Sequence, residues 1–63
     1  MIRRLPGGAG QYELMRTGRR DVLMRALPGG VTRVYAPAWM PLREVDALVF
    51  ARWDELRDLH RQL

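Results

Sequence analysis

"RRDVLMRALPGGVTRVYAP", Arg19 to Pro37, is the stretch whose reading decides the fold. Short runs rich in β-branched, aromatic and other apolar residues flank Pro28-Gly29-Gly30, and they predict two β-strands. The tripeptide between them predicts a tight turn. Proline at the second position presets φ, and glycine at the third accepts positive φ, the chemistry of a type II turn. "LPGG" also occurs at Leu5–Gly8. Two matches this short read as one good turn used twice, not as an internal repeat.

Outward from the hairpin, Gln11–Arg16 reads as a further strand, and Thr17-Gly18 supplies a tight connection to it. The strands expected are Gln11–Arg16, Asp21–Leu27 and Val31–Ala36. Short links containing glycine join them into an antiparallel meander, and Pro37 ends the third, because proline cannot donate to the ladder. Residues 1–10, "MIRRLPGGAG", are expected to form a flexible Gly/Arg arm ahead of a single domain at 11–63.

The clearest helix signal runs from Pro41 to Leu63. Proline suits a first helical turn. Glu44 and Asp46 stand near the start, and Arg57, His60 and Arg61 near the end, as the helix dipole favours. Leu42, Val45, Leu48, Val49, Trp53, Leu56, Leu59 and Leu63 recur at spacings of three and four, one apolar stripe. The fold expected is α+β: a small three-stranded antiparallel β-meander followed by one C-terminal amphipathic α-helix.

Sixty-three residues make one small domain at most. Such a chain buries only about 60% of its unfolded surface. It has no cysteine, so neither a disulfide nor a thiolate metal site is available to it. The basic start has no apolar run behind it and does not read as a signal peptide. No stretch approaches the roughly 20 apolar residues that span a bilayer. No membrane partner is expected, and the location expected is cytoplasmic.

Net charge is +4, and all eleven basic residues are arginine. Residues 1–40 carry seven Arg against Glu13 and Asp21, a local +5, whereas residues 41–63 carry a local −1. A GC-rich coding bias accounts for the choice of arginine. Arginine is also the side chain suited to bidentate contacts with phosphate or carboxylate. Arg16, Arg19, Arg20, Arg25 and Arg33 form the candidate surface for a nucleic acid or an acidic partner, with strands in the major groove as one known geometry.

Strand alternation separates two faces. Tyr12, Leu14, Val22, Met24, Ala26 and Val34 form one that is nearly free of charge, the face a helix should cover. Met15, Leu23, Leu27, Val31 and Tyr35 lie on the other, together with Glu13, Arg25 and Arg33. One helix covers one side of a small sheet, so the second face is expected to stay open, and open apolar patches mark partner surfaces. Phe50 falls well off the helical stripe and is expected to be exposed as well. Leu23, Leu27, Val31, Tyr35 and Phe50 are therefore the candidate partner-binding residues.

Little here supports catalysis. His60 is the only histidine, there is no serine, and neither Thr17 nor Thr32 has a base near it in sequence. Asp54, Glu55 and Asp58 read as a solvated helix face with arginine partners. "LPGGAG" lacks the Lys-Ser/Thr of a phosphate loop. No catalytic residue, metal site or cofactor is expected.

Three groups of residues carry a family resemblance. They are the turn Arg16-Thr17-Gly18-Arg19-Arg20, the strand end Val34-Tyr35-Ala36-Pro37, and the helix start Met40-Pro41-Leu42-Arg43-Glu44-Val45 with Leu48-Val49. Over residues 12–56 the order resembles the N-terminal region of the YgjP-like zinc metallopeptidases. In that family an HExxH helix and a later histidine hold the zinc downstream of this region, and neither has a counterpart here. The resemblance therefore implies a strand-and-helix module without the catalytic segment, and no catalytic residue carries over. It also implies burial of Leu23 and Leu27, against the alternation, which favours Val22 and Met24.

Three functions follow as expectations. The first is a non-catalytic accessory or protein-interaction module that docks to a protein partner, or to further copies of itself, through the open sheet face. The alternatives are a small arginine-rich nucleic-acid-binding domain and a structural subunit of a virion or other oligomeric assembly.

Overall fold

A computed structural model describes all residues, 1–63. Four strands form one sheet: β1 (Ile2–Arg4), β2 (Gln11–Thr17), β3 (Leu23–Leu27) and β4 (Val31–Pro37). Two helices follow, α1 (Leu42–Ala51) and α2 (Trp53–Arg61). The order across the sheet is β1-β2-β4-β3. The outer pairs β1–β2 and β4–β3 are antiparallel, and the central pair β2–β4 is parallel. The α+β class holds, but the three-stranded antiparallel meander and the single helix are both corrected.

The extra strand comes from the segment expected to be a flexible arm. Ile2–Arg4 pairs with Gln11–Glu13, and both ends are fastened beyond the ladder. The Leu14 N–H donates to the Met1 carbonyl (2.7 Å), and the Leu5 N–H donates to the Gly10 carbonyl (2.8 Å). Leu5 itself is core. Both LPGG stretches are turns that close antiparallel pairs. Gly7 (φ 74, ψ 11) and Gly29 (φ 82, ψ 13) sit in the left-handed region that the third position of a type II turn requires.

The mixed topology turns on the link Gly18–Val22. Read as a tight turn, it would set β3 beside β2. Five residues are instead long enough to cross two strand spacings of about 4.8 Å each, and they leave a gap that β4 fills. Burial decides which strand takes the centre. Thr32, Val34, Ala36 and Pro37 of β4 are all buried, whereas Leu23 and Arg25 of β3 are exposed. An edge tolerates a charged, half-wet strand better than the middle does.

Helical periodicity runs unbroken from Leu42, but the backbone kinks at Arg52 (φ −108, ψ 12). There the Arg52 N–H reaches the Val49 carbonyl, a tightened last turn (3.2 Å). Trp53 follows at once, and its Nε1 donates to the Ala9 carbonyl (3.1 Å). The indole lies over Gly10, where a Cβ would overlap it. Pro41 stands just outside the helix as its cap, with extended backbone.

Both helices pack on the same side of the sheet. Tyr12, Leu14, Val34 and Ala36 meet Val45, Val49 and Leu56 in one core, with Met24 and Trp53 at its margin. Alternation thus identifies the covered face, and the burial of Leu23 implied by the family pattern does not occur. Thr32 Oγ1 and His60 Nε2 lie 2.9 Å apart, joining β4 to α2.

One polar cluster sits inside this layer. Asp46 of α1 is buried, at 7% exposure. The Arg3 guanidinium grips its carboxylate through Nε (3.1 and 3.2 Å) and Nη2 (2.8 Å). The Tyr12 hydroxyl donates to Asp46 Oδ1 at 2.6 Å. The Arg3 bonds, above all, hold the Asp46 carboxyl below its ordinary range; burial opposes them and the Tyr12 bond adds to them. Burial, above all, and the neighbouring carboxylate push the Tyr12 phenol above its ordinary value.

These shifts contribute at both ends of the stability profile. A depressed carboxyl contributes fully above the unfolded value of about 3.9, and the contribution is lost as pH falls through the lower folded value. A raised phenol contributes below an unfolded value of about 10 and is lost as pH rises past it. Urea unfolding measured from acid to alkaline pH is expected to show a neutral plateau with two falling limbs. Asp46→Asn should flatten the acid limb and Tyr12→Phe the alkaline one, with Tyr12→Phe lowering the plateau by about 1–2 kcal/mol. Variants whose limbs superimpose on the parent's would contradict the assignment.

Candidate docking face

With the helices on one side, the other side of the sheet meets no element of the chain. Register arranges its side chains in rows. Met15, Tyr35 and Leu23 stand side by side across β2, β4 and β3. The next row is Glu13, Arg33 and Arg25, and the next pairs Val31 with Leu27. A charged row therefore runs between two apolar ones, about 7 Å from each, two residues along a strand. Met15 is 40% exposed, Val31 40% and Leu23 36%, while Leu27 and Tyr35 are half-buried.

The charged row is unevenly neutralised. Arg33 Nε donates to Glu13 Oε1 at 3.1 Å, across the parallel pair. Arg25, directly opposite Arg33, makes neither an ion pair nor a side-chain hydrogen bond. Like charges directly opposed across two strands are unfavourable. Beside Arg25 is a shallow cavity of about 310 Å³, lined by Arg19, Leu23, Arg25 and Tyr35.

The five candidate residues for partner binding do not form one patch. Leu23, Leu27, Val31 and Tyr35 share the open sheet face. Phe50 is exposed, but on α1, across the sheet from them. It lines a separate cavity of about 450 Å³ with Pro6, Gly7, Arg43, Asp46 and Ala47. Met15, which alternation places on the open face, and Ile2 of β1, which stands beside Glu13 there, lie outside the candidate set.

The five candidate arginines separate as well. Arg16 Nη1 donates to the Pro37 carbonyl (2.8 Å) and the Met40 carbonyl (2.7 Å), tying the end of β2 to the turn before α1. Arg19 pairs with Asp21 through Nε (3.0 Å) and Nη2 (3.2 Å), and Arg33 with Glu13. Of the five, only Arg20 and Arg25 make no such contact. Several polar partnerships escaped the sequence reading, among them Arg3 and Tyr12 with Asp46, and Thr32 with His60. Each of these three joins residues more than 25 positions apart, and no local pattern signals such a pair.

No group of three or more His, Asp or Glu side chains is placed to hold a metal ion. No helix is long and apolar enough to cross a membrane. No family model, curated protein or solved structure matches the chain.

The two faces should respond differently to the same substitution. Leu23→Glu is expected to cost no more than about 1 kcal/mol of unfolding free energy, as for an exposed position. Leu14→Glu, an unpaired charge in the core, should leave no cooperative thermal transition by circular dichroism. Loss of the transition in Leu23→Glu would show that the outer face is packed.

Proposed function

We propose that the chain is a non-catalytic protein-interaction module that docks a protein partner on the open face of its sheet. The observation that carries this reading is the exposed apolar row Met15–Tyr35–Leu23, beside a cavity with two guanidiniums on its rim. Exposed large hydrophobic side chains that adjoin one another are the surface feature most often covered by a partner. An aromatic ring with an arginine at the margin is the composition of a binding hot spot.

The arginines weigh against the nucleic-acid alternative. Arg16, Arg19 and Arg33 spend their donors inside the chain, and a phosphate-tracking surface needs its cations free. The resemblance to the N-terminal region of YgjP-like zinc metallopeptidases also supports an accessory role, since the region in question carries none of that family's zinc ligands.

Site-specific crosslinking tests the proposal. A photoreactive residue is placed at Met15, at Leu23 or, for comparison, at Phe50, and irradiated in the cells of origin. One discrete protein adduct from Met15 and Leu23, absent from Phe50 and lost when Val31→Glu is added, is the expected result. Adducts from Phe50 alone, or adducts indifferent to Val31→Glu, would overturn it.

A further inference from the structure

The strand β3 has β4 on one side and no strand on the other. Its far edge presents unpaired backbone donors and acceptors, and such an edge is a template for one more strand. The side chains it shows on the open face are Leu23, Arg25 and Leu27, in register with Tyr35, Arg33 and Val31.

The charged row specifies what that extra strand should carry. Across the sheet it reads Ile2, Glu13, Arg33, Arg25, and it stops at the β3 edge with an unpaired cation. Glu13 neutralises Arg33, and nothing neutralises Arg25. A further strand would lie about 4.8 Å beyond β3 and place its own residue in this row beside Arg25. A carboxylate there completes the row as minus, plus, plus, minus. The two flanking rows end in Leu23 and Leu27, both apolar, so residues two before and two after the carboxylate meet apolar neighbours.

A second copy paired in the Arg25-centred register fits poorly. Two β3 strands paired about a two-fold axis through Arg25 would oppose the two Arg25 side chains, each already beside an Arg33. Four guanidiniums would then stand in one row, and such like-charge placement protects an edge from its own kind.

We propose that the free edge of β3 receives an extended segment of a partner protein, with a carboxylate beside Arg25 flanked at two residues on either side by apolar side chains. This rests on the docking reading above and adds the place, the backbone mode and the chemistry of the occupant.

The probe is the capped peptide Thr-Val-Thr-Glu-Thr-Val-Thr, titrated into the isotope-labelled full chain and followed by amide chemical shifts. Saturable binding with shifts centred on Leu23–Leu27 is expected. Replacing the peptide's glutamate by lysine should weaken binding by roughly tenfold, from an opposite-charge to a like-charge cross-strand pair. Arg25→Glu should reverse that preference, and Arg25→Gln should abolish it. N-methylation of alternate peptide amides, which removes hydrogen bonds and leaves the side chains, should eliminate binding.

Equal binding of the glutamate and lysine peptides, or no saturable binding of the glutamate peptide, overturns the proposal. Binding of the N-methylated peptide that Leu23→Glu abolishes overturns it too, while leaving docking on the sheet face intact. If a single-stranded oligonucleotide displaces the peptide from β3 with a steep salt dependence, the edge reads polyanions and the proposal fails.

Discussion

One buried carboxylate ties this fold together. Asp46 projects from α1 into the space above β1 and β2, and there it accepts hydrogen bonds from Arg3 and Tyr12. Three elements converge on it: β1 and β2 from the start of the chain, and α1 from more than 30 residues further on. The arrangement is asymmetric in solvation: the Arg3 side chain keeps 37% of its exposure and the Asp46 side chain 9%. Arginine freed of its partner can rehydrate, whereas the carboxylate cannot, so the cost of breaking the pair falls on Asp46. Arg3 adds a side-chain anchor to a three-residue strand that its backbone bonds and the buried Leu5 also hold. Beyond it the first LPGG turn closes, Leu5 lies in the core, and Gly10 lies under the Trp53 ring.

The same constraint fixes which side of the sheet stays bare. Asp46 and the apolar stripe of α1 face Tyr12, Leu14 and Val34, and α2 continues over Thr32 through His60. A chain of this length has no second layer to spend on the other face. Two-layer domains normally pair each sheet face with water or with another element, and apolar residues are placed accordingly. Here the uncovered face alternates apolar rows with a charged one, and the charged row ends unbalanced at an edge strand. Those two features, an apolar surface without a cover and a cation without a counterion, together give the molecule its reading as half of an interface.

Much of this was legible before any coordinates. Period-two alternation favours the side of Tyr12, Leu14, Met24 and Val34 for the helical layer, and that is the side the helices cover. The LPGG turns were recognisable twice, yet only one was read as a hairpin. The first lacks alternating apolar flanks, since Arg3 takes the inward position and is satisfied by Asp46. The parallel β2–β4 pairing could not be read locally, for a five-residue link serves a hairpin and a skip equally well. The helix break at Arg52 was hidden for a similar reason: periodicity continues across it, and what accompanies it is the reach of Trp53 to Ala9, 44 residues away in sequence. At the site, alternation found Leu23, Leu27, Val31 and Tyr35. It could not tell which arginines were committed elsewhere, because the acceptors of Arg16 are backbone carbonyls more than 20 residues distant.

The account turns on one face being covered and the other open, and a soluble paramagnetic probe reports that contrast directly. Methyl resonances of Met15, Leu23, Leu27 and Val31 should broaden strongly as the probe is added to a dilute solution of the chain. Those of Leu14, Val34, Val45 and Val49 should not. Equal protection of the two sets, or broadening of the second set ahead of the first, would contradict the account.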